Sequence, residues 1–111
     1  MVVYHEQAVV EFEALRDKQQ RKGVLTIVSI LRQIGPKIVE PHAKPVQGTS
    51  GLWELRPGGG RVIVRPLYAR VDEREFVILA IGPDAVVDAS GFKSAVKRAQ
   101  QRAKDEYGLT L

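Results

Sequence analysis

The chain has 111 residues, which fits one domain spanning 1–111, and no cysteine, which excludes disulfides, thiolate zinc sites and a cysteine nucleophile. Its 17 Lys and Arg against 13 Asp and Glu give a formal net charge of +4, a weak indication of a polyanionic partner. No apolar run is long enough for a membrane span and the N-terminus does not resemble a signal peptide, so we expect a cytoplasmic protein with no membrane contact.

The first third of the chain is predicted to form a helical hairpin, preceded by a short strand at Met1–Tyr4. In the first helix we expect one buried stripe and an exposed acidic face that includes Glu11. The second helix carries apolar residues at spacings of three and four. The two helices are expected to meet around Lys18–Lys22, and Gly35-Pro36 should end the second. The two expected stripes are Val9, Val10, Phe12 and Leu15, and then Val24, Ile27, Val28, Leu31 and Ile34.

Three strands and a last helix are predicted for the rest of the chain. Residues 37–51 have prolines and glycines that break any period, so a loop is expected there. The predicted strands are Leu52–Arg56, Arg61–Tyr68 and Glu75–Ile81, joined by turns into an antiparallel meander. Pro66 cannot donate to a sheet, which places it at an unpaired edge or a bulge.

The final helix is predicted from about Ser90 to Tyr107, with Gly108 as its C-terminal cap. The fold class is therefore α+β, with an N-terminal helical hairpin, an antiparallel sheet of three to four strands and a C-terminal helix. The expected apolar stripe of this helix consists of Phe92, Val96, Ala99, Ala103 and Tyr107.

Sites for metals, phosphate loops and serine nucleophiles are not indicated. Gly58–Gly60 lies between two strands and is not followed by Lys-Ser or Lys-Thr, so a hairpin turn is the better interpretation. The two histidines, His5 and His42, are far apart and have no carboxylate at a metal-binding spacing. No serine lies in a nucleophile-elbow sequence. We expect neither a metal nor a cofactor.

The arginines around the glycine turn are more informative. An antiparallel pairing across the turn brings Arg56 close to Arg65, and two guanidinium groups on one face would bind phosphate bidentately. The alternative is that they pair with Glu54, Glu73 or Glu75 or are merely solvated. Tyr68 is open to either a base-stacking or a packing role.

A second basic region lies on the final helix, where five cations fall within twelve residues. Either this face follows an RNA backbone or it is a solvated surface, and the scarcity of nearby acids favours RNA. The candidate RNA-binding residues are Lys93, Lys97 and Arg98, together with Arg61 beside the glycine turn.

These features resemble one family over nearly the whole chain. Residues Gly51–Arg56, the glycine turn and Arg65 two residues before Leu67-Tyr68 are similar to the central motif of phage-derived RelE/HigB-like toxins. The two helices before Gly35-Pro36, the proline-containing loop and the segment Ser94–Ala99 fit the same order of elements.

The resemblance implies a RelE/ParE-like fold, a cognate antitoxin that is a small helix-turn-helix protein, and cleavage of mRNA on the ribosome. In that reaction the RNA 2′-hydroxyl attacks the adjacent phosphate without a metal, and basic side chains stabilise the developing charge. The positions that match are Arg56 and Arg65, and Tyr68 would stack on a base or relay a proton. Lys93 and Lys97 would support the RNA.

Three positions depart from the family pattern. Asp84 lies where a cation is expected after the last central strand, Glu54 replaces a lysine, and Phe92 replaces a tyrosine at the start of the final helix. Two alternatives therefore stay open on the same fold: a gyrase-targeting toxin, and a non-catalytic module that binds RNA or protein.

Overall fold

A computed structural model describes all 111 residues, as three helices and five strands. The helices are α1 (Glu6–Glu13), α2 (Lys18–Ile34) and α3 (Ala89–Tyr107). The strands are β1 (Val2–Tyr4), β2 (Ala43–Pro45), β3 (Trp53–Leu55), β4 (Val64–Arg70) and β5 (Phe76–Pro83). Short 3-10 turns follow α2 and β3, at Gly35–Lys37 and Pro57–Gly60. None of the three helices is both long and apolar enough to cross a membrane.

The five strands form one sheet in the order β1-β5-β4-β3-β2. The neighbours from β5 to β2 are antiparallel, and β1 pairs with β5 in parallel. The meander predicted from the sequence is confirmed, and two strands add to it at its edges. β2 lies in the segment expected to be a loop. The expectation is wrong there because the strand has only three residues, and its pattern is too short to be recognised in the sequence.

The sheet lies between two helical layers. The hairpin of α1 and α2 covers one face through Ala8, Val24 and Leu31, which pack against Val64 and Ile78 of the sheet. On the other face, α3 packs through three fully buried alanines against Leu67 and Leu79. Those alanines are Ala95, Ala99 and Ala103. The small side chains let α3 approach the sheet closely.

The helix boundaries agree closely with the pattern of the sequence. Asp17 caps α2 by accepting hydrogen bonds from the amides of Gln19 and Gln20, so the two N-terminal helices meet a few residues before the expected junction. Gly35, at φ 52°, ends α2, and Gly108 ends α3 in the left-handed conformation. Ile34, expected in the buried stripe of α2, is exposed at the end of the helix.

The buried stripe expected for α1 is confirmed for Phe12 and Leu15, which pack against the core, and is wrong for Val9 and Val10. Val9 and Val10 are exposed, Ala8 is buried and Glu11 points inward. The helix has only eight residues, so its apolar pattern is too short to determine its rotation, and the polar contacts of Glu11 decide it. Pro66 lies on β4, which is a central strand. The pairing of β4 with β3 ends at Leu67, so no strand on that side requires a hydrogen bond from the backbone N–H that proline lacks.

Candidate active site

The turn between β3 and β4 brings two arginines together around one glycine. Arg56 follows the last residue of β3, and Arg65 is the second residue of β4. A Cβ atom added to Gly60 would lie 2.9 Å from Nη2 of Arg56, while Nη2 of Arg65 donates to the Gly60 carbonyl oxygen at 3.3 Å. Gly60 has a φ of +100°, which side chains other than glycine rarely adopt. The two guanidinium groups are therefore neighbours, as antiparallel pairing across the turn predicts.

Arg65 is enclosed by the protein, with 1 % of its surface exposed. Its Nη1 donates to the carbonyl oxygens of Val62 at 2.7 Å and Val64 at 2.9 Å. Its Nη2 donates to Gly60 and to a carboxylate oxygen of Asp84, and its Nε is buried without a partner. Burial lowers the pKa of Arg65, and the nearby Asp84 charge opposes that effect. The guanidinium is held in a single orientation at the end of the sheet.

Each of the two arginines is paired with an acid of the same chain. Nη1 of Arg56 lies 2.9 Å from Oε1 of the largely buried Glu54, and Arg65 pairs with Asp84. Burial acts to raise the pKa of Asp84, but the Val86 amide and the Arg65 charge outweigh it, so the pKa lies below its ordinary value. The site thus contains two cations and two anions, and its formal charge is zero.

Tyr68 lies away from this arginine pair. Its side chain is on the opposite face of β4 from Arg65, inside the core that α1 and α2 cover, and the residue is 4 % exposed. Its ring packs against Phe76 with a centroid distance of 6.1 Å. Burial raises the pKa of the phenol above its ordinary value, which makes it a poorer proton donor. We therefore do not retain Tyr68 among the residues assigned to catalysis.

Three of the expected RNA-binding cations are exposed. Arg61 follows the glycine turn and forms no salt bridge. Lys93 and Lys97 lie on the first half of α3 and line a cleft of about 490 Å³ between that helix and the loop around Gly48. Both lysine side chains are solvent-exposed, so they are available to an anionic ligand.

The other basic residues on α3 have a different environment. Arg98 and Arg102 both bind the Glu11 carboxylate, at 3.1 Å and 2.7 Å. Arg98 also donates to the Ser94 hydroxyl, and Arg102 donates to the Leu79 carbonyl oxygen. Arg98 therefore joins α3 to α1 and the sheet, which accounts for its position without any RNA.

The sequence interpretation missed the inward-facing role of Glu11. This carboxylate accepts a hydrogen bond from the Ile81 amide, 70 residues away in the chain. No local pattern marks such a long-range contact. Elsewhere in the chain, no three His, Cys, Asp or Glu side chains are grouped in an arrangement suited to a metal ion.

Comparisons with known proteins place this fold. A sequence model of the family described as phage derived protein Gp49-like matches residues 10–104. No curated protein sequence matches significantly. Among solved structures, the chain is similar to a double arginine-to-alanine mutant of the E. coli toxin RelE in the free state. That similarity has 18 % identity and a TM-score of 0.61, and covers 88 % of this chain and 95 % of that one.

Two further structures are similar in fold. One is a chain of the archaeal RelE–RelB complex from Pyrococcus horikoshii OT3, with 25 % identity and a TM-score of 0.53 over 74 % of this chain and 91 % of that one. The other is a chain of the YoeB–YefM complex from Staphylococcus aureus, with 13 % identity and a TM-score of 0.56 over 73 % and 92 %. The RelE-like fold expected from the sequence resemblance is confirmed.

Proposed function

Because the chain belongs to the Gp49-like family of phage-derived proteins, we propose that it is the toxin of a type II toxin–antitoxin module and cleaves mRNA on the ribosome. The observation that carries the proposal is the pair formed by Arg56 and Arg65, held around Gly60 at the end of a RelE-like sheet. Ribosome-bound mRNA is a cytoplasmic substrate, so the protein would act in the cytoplasm.

The arrangement suits phosphoryl transfer within RNA. Two guanidinium groups that converge on one point stabilise the charge that develops on a phosphate when the 2′-hydroxyl attacks it. Glu54 lies beside Arg56, and its second carboxylate oxygen forms no hydrogen bond within the chain, so it is the candidate to accept the hydroxyl proton. Arg61, Lys93 and Lys97 would bind flanking phosphates of the strand.

A cognate antitoxin is the expected partner. Two of the similar folds occur in complexes with a second protein, the RelE–RelB and YoeB–YefM complexes. We propose that a neighbouring gene encodes the antitoxin, a small helix-turn-helix protein, and that the complex neutralises the toxin. Co-purification of the two products, with relief of toxicity, is the direct check.

Growth arrest and mRNA cleavage after induction test the catalytic proposal. Arg56→Ala removes one guanidinium from the partly exposed position, and we expect mRNA cleavage on purified ribosomes to fall about 100-fold or more. The matched control is Arg74→Ala, because Arg74 is an exposed arginine whose side chain forms no hydrogen bond or salt bridge in the chain. Circular dichroism melts of both variants show whether the fold is retained.

One observation favours a second candidate function. Each arginine is neutralised by a carboxylate of its own chain, which suits a toxin that acts on a protein such as gyrase, or a non-catalytic binding module. Growth arrest with DNA breaks and intact mRNA would indicate the gyrase-targeting toxin. Harmless expression with retained, salt-sensitive RNA binding would indicate the binding module.

A further inference from the structure

From the contacts of the arginine pair, we infer that Asp84 is a displaceable gate: it occupies the position on Arg65 that an RNA phosphate takes, and substrate must move it. This inference rests on the proposed function, since it concerns how the same site admits RNA. It assigns Asp84 a role in controlling access, distinct from any part in the chemical step.

The hydrogen-bond donors of Arg65 show why a gate is needed. A guanidinium has five N–H donors. In Arg65 three of them donate to the carbonyl oxygens of Val62, Val64 and Gly60, and a fourth donates to Asp84. The remaining N–H is on Nε, which is buried. A phosphate therefore reaches a donor that faces the site only when the Asp84 carboxylate leaves.

The three carbonyl contacts of Arg65 also show that Asp84 acts as a gate and does not position the guanidinium. They already fix the plane and direction of the guanidinium through both Nη atoms, so Asp84 is not needed to orient it. What Asp84 adds is a negative charge on the outward donor. A phosphate bound there instead would receive the same charge-assisted hydrogen bond.

Of the two acids in the site, Asp84 is the one that is free to move. Glu54 lies within β3 and pairs in register with residues of both β2 and β4. Asp84 follows the end of β5, and its side chain is 14 % exposed. The next residues, Ala85 to Asp88, are all exposed, and Val86 reaches 95 % exposure. The Asp84 amide donates to the Ile63 carbonyl oxygen at 3.3 Å, which holds the backbone there, but movement of the Asp84 side chain and of the three exposed residues after it removes no buried apolar side chain from the core.

The loop and the carboxylate are also linked to each other. The second oxygen of Asp84 accepts a hydrogen bond from the Val86 amide at 2.7 Å, and its carbonyl oxygen accepts from the Val87 and Asp88 amides. Rotation of the loop thus carries the carboxylate with it. The gate consists of Asp84 and the three exposed residues that follow.

The test compares two charge-matched variants in the same loop. Asp84→Asn weakens the contact with Arg65, whereas Asp88→Asn makes the same change in charge four residues away. Asp88 caps α3 through the Gly91 amide, and asparagine is an equally good cap, so the control keeps that helix. The probe is a short, 2′-O-methylated single-stranded RNA, which binds but cannot be cut by attack of a 2′-hydroxyl.

If Asp84 is a gate, the Asp84→Asn variant should bind this RNA about tenfold more tightly than the wild type. The reason is that the conformation in which Arg65 is open to phosphate is then no longer a minor fraction of the molecules. Asp88→Asn should stay within about twofold of the wild type, since it does not contact Arg65. If both variants tighten equally, the effect is general charge and the gate is refuted. It is equally refuted if Asp84→Asn binds more weakly, which is the result for a purely structural clamp.

A measurement on the wild type covers the case in which Asp84→Asn does not fold. The ¹³C chemical shift of the Asp84 carboxylate should move when the methylated RNA is added, because its partner changes. A chemical shift that stays constant at saturating RNA overturns the gate.

The gate and the ribonuclease proposal can fail separately. Tighter binding by Asp84→Asn with no mRNA cleavage by the wild type would refute the ribonuclease and leave the gate. Cleavage of mRNA by the wild type without tighter binding by Asp84→Asn would refute the gate and leave the ribonuclease.

Discussion

At the scale of single residues, Glu11 connects three elements of the fold. Its carboxylate binds Arg98 and Arg102 on α3 and the Ile81 amide on β5, although the residue itself lies on α1. Breaking a partly buried ion pair leaves the remaining charges without compensation, which is more harmful than breaking an exposed pair. We therefore expect the loss of the Glu11 charge to destabilise the fold.

The variant Glu11→Gln removes the charge and keeps an oxygen that can accept from the Ile81 amide. We expect the free energy of unfolding at pH 7 to fall by about 2 kcal/mol, because three charge-assisted hydrogen bonds from Arg98 and Arg102 are weakened. Glu13→Gln, on an exposed position of the same helix, should change it by less than about 0.5 kcal/mol. Urea titrations of the three proteins measure the difference. Equal stabilities for the two variants would contradict this role.

The stabilisation by Glu11 should also depend on pH. Burial acts to raise the pKa of Glu11, but hydrogen bonds from Arg102 and the Ile81 amide, and the two arginine charges, outweigh it and lower the pKa. The folded pKa is then below the unfolded value of about 4.3. The contribution is therefore complete above about pH 4.3 and is lost as the pH falls through the folded pKa. The stability gap between the wild type and Glu11→Gln should narrow in acid, and a constant gap would contradict the assignment.

At the level of elements, α3 packs against the sheet at Gly82 with no room for a larger side chain. This glycine of β5 lies opposite Arg65 on β4, and a Cβ added to it would be 2.5 Å from the Cβ of Ala95. Its φ is not in the left-handed region, so packing alone requires glycine there. The close packing at this point sets the height of α3 above the arginine pair.

Gly82→Ala should therefore destabilise the protein by about 1 to 3 kcal/mol through overpacking. Ala95→Gly alone should cost about 1 kcal/mol, since glycine weakens a helix interior. Because the second change makes room for the first, the double variant should be more stable than the sum of the two single effects allows. Thermal or urea melts of the wild type, the two single variants and the double variant give the coupling energy between the two positions. Strict additivity would show that the contact between Gly82 and Ala95 does not limit the packing of α3 on the sheet.

At the scale of the whole molecule, the distribution of charge matters more than the net value of +4. Four arginines pair with three carboxylates of the chain: Arg56 with Glu54, Arg65 with Asp84, and both Arg98 and Arg102 with Glu11. The exposed lysines Lys93 and Lys97 remain beside the cleft along α3. RNA binding should therefore depend on this side of the molecule.

We expect the double variant Lys93→Gln and Lys97→Gln to weaken RNA binding and to reduce its dependence on salt. The slope of log K against log salt should become shallower by about 0.7 for each phosphate of a single strand that the variant no longer neutralises. The control pair is Lys18→Gln and Lys37→Gln: Lys18 begins α2, Lys37 ends the 3-10 turn that follows it, and both positions are exposed. An equal change of slope in both pairs would indicate binding by general charge.

Elements whose signals are local can be predicted from the sequence alone. The apolar spacing of α2, the buried run of β5 and the glycine caps at Gly35 and Gly108 each depend on neighbours within one or two turns. The order of elements was enough to indicate the RelE-like fold, and pairing across the Gly58–Gly60 turn was enough to bring Arg56 close to Arg65.

Features that join distant parts of the chain follow only from the folded structure. The parallel pairing of β1 with β5 and the inward orientation of Glu11 join residues about 70 positions apart. The face on which Tyr68 is buried follows from the packing of β4 against the helical hairpin. The pairing of Arg65 with Asp84 requires β5 to end beside β4, so the neutral charge of the site is a property of the folded sheet and not of any segment.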